Sequence, residues 1–111
     1  MQEITWQEFE KVELRVGTIV GVDDFPQARN PAYIIQVDFG AEIGIKKSSA
    51  QITDLYDSND LIGKQVIVVA NLKPVKLMGI LSNGMVLAAE DNNHLALVCL
   101  DKPMKPGTPL R

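Results

Sequence analysis

The sequence predicts an all-β fold, a small closed barrel, and three observations carry that expectation. Short runs of alternating or wholly apolar residues recur between turn signals from Leu14 to Leu100. Glycines interrupt the first of these runs, as at the corner of a barrel. Only one helical turn is interposed among the strands, a pattern of small barrels rather than of layered α/β folds. At 111 residues the chain has the length of one domain, residues 1–111, burying roughly two-thirds of its unfolded surface.

Before the strands, Thr5 and Glu8 have the spacing of a capping box, and Ile4 and Phe9 that of a hydrophobic staple. They predict a short helix from Trp6 to about Lys11. The first strand follows, with Leu14, Val16, Thr18, Val20 and Val22 alternating with Arg15, Gly17, Ile19 and Gly21. In the second, Tyr33, Ile35, Val37 and Phe39 form a core face, and Ile34, Gln36 and Asp38 the other. An odd-length loop would keep Ile45 on the side of Val37 and set Lys46 beside Gln36 on the outer face. Asp57 or Ser58 caps a helical turn running to Ile62, which Gly63 ends. A strand from Gln65 to Ala70 comes next. Asn83-Gly84 marks a turn before a strand from Met85 to about Ala89, and residues 91–94 mark another before Leu95 to Leu100. The tail, with Pro103, Pro106-Gly107 and Pro109, is expected to be extended. Val66 to Val69 and Leu95 to Leu100 are apolar on both faces, so a covering partner is expected, most simply a second copy in a homodimer.

Composition narrows the functional classes. An apolar share of 46% with 23% charged residues suits a soluble globular protein. Residues 1–11 lack the basic start and apolar core of a signal peptide, and no run approaches membrane-spanning length, so a cytoplasmic protein without membrane insertion is expected. Cys99 is the only cysteine, which excludes an internal disulfide and a cysteine-based zinc site and reads as a buried thiol. His94 in a polar turn and Cys99 in an apolar strand do not make a nucleophile and base. Asp54, Asp57 and Asp60 lack the calcium-loop pattern, and Asp23 and Asp24 have no partner carboxylate. The reading is a protein that is not an enzyme, with no metal and no cofactor.

The basic residues carry more information, although a formal net charge of -3 argues against general phosphate binding. Arg29, Lys46, Lys47, Lys73 and Lys76 all fall in or beside loops and strand ends around one barrel face. Lys73-Pro74-Val75-Lys76 breaks the chain after an apolar run and leaves Leu77, Met78 and Ile80 near the lysines, a mixed charged and apolar rim. Ser48 and Ser49 add small hydroxyls suited to phosphate oxygens or peptide backbone.

Glu13-Leu14-Arg15-Val16-Gly17, together with Asn71-Leu72-Lys73-Pro74-Val75-Lys76 through Gly79 and with Ser82 to Ala89, resembles the tRNA-binding domain family. Within it, Phe25-Pro26-Gln27-Ala28-Arg29 and the stretch from Asp38-Phe39-Gly40 through Lys46-Lys47-Ser48-Ser49 to Thr53 are similar to the CsaA-type secretion chaperones. The resemblance spans nearly the whole chain. It implies a five-stranded OB-fold barrel, a homodimer built partly from terminal segments, no cofactor and no catalysis. By motif, Arg29, Lys46, Lys47, Ser48, Lys73, Lys76, Ser82 and Met85 match its binding positions. The register and the rim add Gln36, Leu77 and Met78. One departure from the wider family is that Ala28 is followed by Arg29-Asn30-Pro31-Ala32, which is itself CsaA-like. The implied ligand is unfolded or precursor polypeptide. The alternative is structure-specific tRNA binding on the same barrel face.

Overall fold

A computed structural model describes all 111 residues, Met1–Arg111. Helix α1 spans Trp6–Glu10 and ends at Lys11. Its capping box is formed, since the Glu8 N–H donates to Thr5 Oγ1 at 3.2 Å and the Thr5 N–H to Glu8 Oε1 at 3.1 Å. Strands β1 (Leu14–Asp24), β2 (Tyr33–Asp38) and β3 (Ile45–Ala50), helix α2 (Ser58–Leu61), and strands β4 (Gln65–Val69), β5 (Val75–Leu77), β6 (Ile80–Ser82), β7 (Met85–Val86), β8 (Ala88–Asp91) and β9 (His94–Leu97) follow. One antiparallel sheet has the order β3-β2-β1-β4-β7, and β5-β6 and β8-β9 are separate hairpins.

The expected bend lies in β1. Its pairing with β2 slips between Ile19 and Gly21, so Val20 is an extra residue and the strand turns from β4 toward β2. Gly17 sits on the concave side, where an added Cβ would overlap the Val37 side chain and crowd the Phe39 ring. The sheet therefore curls into a half-barrel around Ile19, Tyr33, Ile35, Val37, Phe39, Ala50, Ile52, Leu61, Val66 and Val68. The predicted closed barrel is only partly realised: β3 and β7 share no ladder, and the Asn83 N–H to Lys47 C=O bond at 2.8 Å ties the edges together. The extended tail lies along β1, with the Val16 N–H donating to Thr108 C=O and the Leu110 N–H to Leu14 C=O, both at 2.9 Å. The Gln65 side-chain amide clasps Met104 through both its backbone N–H and its C=O.

Several expectations are corrected. The loop joining β2 to β3 is residues 39–44, an even number, so Asp38 faces Ile45, Val37 faces Lys46 and Gln36 faces Lys47. A one-residue change of parity turns every side chain over. Ile45 is thus 58% exposed on the outer face, and Lys46 belongs to the opposite side from Gln36. The break read at Pro74 is followed by a hairpin, β5–β6, whose turn residues Met78 and Gly79 both have positive φ. Ile34, on the supposed solvent face of β2, is buried with Phe25 and Ala32 in a second small cluster. Val66, Ile67, Val68 and Val69 are all buried within one chain, so β4 needs no partner to cover its second face. Cys99 is exposed. His94 does have a carboxylate neighbour, with Nδ1 3.5 Å from Asp54 Oδ2, but both side chains are more than half exposed.

Candidate functional site

The outer face of β2 and β3 is floored by the pairs Ile34–Ser49, Gln36–Lys47 and Asp38–Ile45. Two segments rise at its edge. The first is the β1–β2 loop, residues 25–32, closed by the Phe25 N–H to Ala32 C=O bond at 3.2 Å and by a turn from Phe25 C=O to the Ala28 N–H at 3.1 Å. Phe25 and Ala32 are buried against Ile34, which pins the loop down and leaves Arg29 exposed at its tip.

The second is the β5–β6 hairpin. Positive φ at both central residues is the two-residue turn whose twist matches paired strands. Ile80 packs against the Phe25, Ala32 and Ile34 cluster, so the hairpin folds over the same loop. Its return strand is held to β3, because Ser82 Oγ accepts the Ser49 N–H at 3.0 Å. Gly84 completes the attachment at φ +73, where a Cβ would stand 2.9 Å from the Val69 carbonyl oxygen.

Between the two segments lies a groove of about 390 Å³. Phe25, Ala28, Arg29, Asn30 and Ala32 line it from the loop, Ser49 and Gln51 from β3 and just beyond, and Lys76, Leu77 and Met78 from the hairpin. Aliphatic and aromatic surface thus shares one hollow with two cations. Neither cation is in an ion pair, since the salt bridges of the chain are Arg15–Glu13 and His94–Asp54.

Arg29, Lys76, Leu77 and Met78, singled out from the sequence, are therefore brought together. Gln36 and Lys47 lie on the same outer face as cross-strand partners. Ser82 bonds the β3 backbone at its edge. Ser48 is inside, 2% exposed, with its hydroxyl 3.5 Å from the Gly84 carbonyl, and Ser49 takes the position expected of it. Lys46 is across the sheet. Met85 borders a different cleft of about 410 Å³, along the seam between β3 and β7. Lys73 is exposed in the connection ahead of β5 and does not line the groove. Sequence reasoning does not single out Asn30, Gln51 or Phe25 as lining residues. The one signal for them is the apolar pair Phe25 and Ala32 flanking a loop, which marks an anchored loop rather than a free one.

No helix is long and apolar enough to cross a membrane. The family model described as "Putative tRNA binding domain" matches residues 14–109. The methionine–tRNA ligase of Pyrococcus furiosus is 41% identical over 111 residues, covering 100% of this chain but 15% of the ligase, so the chain spans a small part of that relative's length. Among solved structures, the chaperone CsaA of Bacillus anthracis superposes with a TM-score of 0.92 at 34% identity, covering 99% of this chain and 100% of that one. The CsaA chaperone protein of Picrophilus torridus also gives 0.92, at 38% identity, with 98% and 100% covered. A half-barrel that superposes on these structures and a family match over most of the chain agree: this protein belongs to the tRNA-binding domain family.

Proposed function

We propose that this chain is a non-catalytic cytoplasmic binding protein that holds unfolded or precursor polypeptides on the outer face of β2 and β3. The groove between the β1–β2 loop and the β5–β6 hairpin carries this reading. Leu77, Met78 and Phe25 offer apolar surface to a side chain, and Ser49, Asn30 and Gln51 offer polar groups to a main chain. The loops flanking strands 2 and 3 are where OB-folds take extended ligands. The likeness to whole CsaA chaperones, covered from end to end, supports it further.

A second reading, tRNA on the same face, is favoured by Arg29, Lys47, Lys73 and Lys76 standing free of ion pairs and by the methionine–tRNA ligase relative. Salt separates the two. Phosphate contacts release counterions, so tRNA affinity falls steeply between low and high salt, whereas apolar burial persists. Titrating the protein with fluorescent bulk tRNA and with a urea-unfolded precursor protein, at both salt levels, is the deciding experiment. Salt-tolerant precursor binding is expected, and tRNA binding without precursor binding would reverse the order of the two readings.

We also propose a homodimer through the terminal segments. α1 stands off the barrel with Trp6 62% exposed, and Trp6, Phe9, Val12 and Leu110 border a groove of about 470 Å³. Apolar surface of this kind, gathered in one place, suits a self-complementary contact.

A further inference from the structure

Met78 is hard to explain by folding alone. Its φ of +49 lies in the left-handed region, which Gly, Asn and Asp enter far more readily than a long side chain. At the first central position of a two-residue hairpin turn, asparagine or glycine is the ordinary occupant. Nor does burial explain it, since Met78 is 69% exposed. A thioether held in a strained turn above a groove is better accounted for by what enters the groove. The charges there are of one sign. Arg29 stands on one wall and Lys76 on the other, no Asp or Glu lines the groove, and neither cation has an ion-pair partner.

We propose that this groove selects extended polypeptide segments in which an apolar side chain is flanked by carboxylates. Met78 caps the apolar side chain, and Arg29 and Lys76 read the acids. This rests on the polypeptide reading given above. Clients rich in lysine next to their apolar residues would be rejected by the same two cations.

The probe is a short fluorescein-labelled peptide, acetylated and amidated at its ends, with a leucine pair flanked by aspartates. Companion peptides carry asparagine or lysine in place of aspartate. In fluorescence anisotropy the aspartate peptide is expected to bind roughly three- to tenfold more tightly than the asparagine one, with the lysine one weakest. Arg29→Gln with Lys76→Gln should abolish that ranking, with the aspartate peptide losing the most affinity. Met78→Asn should raise Tm by about 2 to 6 °C, because it relaxes the turn, yet weaken the aspartate peptide at least about fivefold. Met78→Gly, equally at ease at positive φ, gives a second route to the same loss. Equal binding of the three peptides, full affinity in both Met78 variants, or a lower Tm for Met78→Asn overturns the inference. If the wild-type protein binds none of the peptides and no unfolded precursor, the polypeptide reading itself fails, which is a separate result. tRNA displacing the aspartate peptide without any ranking among peptides would assign the cations to phosphate instead.

Discussion

Individual residues decide whether the face exists at all. Gly84 holds the end of the β5–β6 hairpin against β4 in a backbone conformation that residues with a side chain rarely adopt, with no room for a Cβ beside the Val69 carbonyl. Gly84→Ala is expected to lower stability by about 1 to 3 kcal/mol in urea denaturation and to weaken ligand binding as well. Cys99 gives the opposite case. Its place in a wholly apolar run reads as burial, but the chain leaves β9 at Leu97 and Cys99 meets solvent. Cys99→Ser should therefore change stability by no more than about 0.5 kcal/mol. Within the groove, Lys73→Ala with Lys76→Ala and Leu77→Ser with Met78→Ser separate the two candidate ligands. If polypeptide is bound, the second pair weakens it, since each buried side chain contributes about 1.5 to 3 kcal/mol, and the first matters little for a segment that carries no carboxylates beside its apolar residue. If tRNA is bound, the first pair lowers the magnitude of the salt slope by about 1 for each phosphate that its lysines no longer reach. Circular dichroism on both pairs must show the native fold before the comparison counts.

Among the elements, the β5–β6 hairpin contributes most to the face and is the least legible in the sequence. Pro74 looks like a break, and Met78-Gly79 lacks the asparagine that would announce a turn. The hairpin is stabilised instead from outside, by Ile80 on the Phe25 cluster and by Ser82 on β3. Ile80→Ser should detach it. Amides of residues 75–82 are then expected to exchange with solvent faster while those of β1 and β4 keep their protection, as hydrogen exchange followed by mass spectrometry will report. Unchanged exchange at the hairpin would mean that Ile80 is not its anchor. The β2–β3 pair shows a different limit. Its inward face, Tyr33, Ile35 and Val37, follows from period-two alternation, but the parity of the connecting loop does not, and that parity sets Lys47 rather than Lys46 beside Gln36.

For the molecule as a whole, the question is what covers the remaining apolar surface. The two-faced β4 strand does not answer it, because one chain buries Val66 through Val69 unaided. The terminal groove beside Trp6 is where we propose that a second copy docks. Sedimentation equilibrium is expected to give a dimer for the wild type and a folded monomer for Trp6→Ser with Val12→Ser, and a wild-type monomer at micromolar concentration removes the proposal. Local patterning was enough to specify the all-β class, the capped α1, the bend of β1 at its glycines and the core side of β2. Each depends on spacing within a few residues or on motifs that keep their order along the chain. The β2–β3 register, the burial of Ser48, the exposure of Cys99, the open seam between β3 and β7 and the groove itself emerge only in three dimensions. These depend on which distant segments lie side by side, and no local pattern of side chains encodes how the β1–β2 loop meets a hairpin some fifty residues further along.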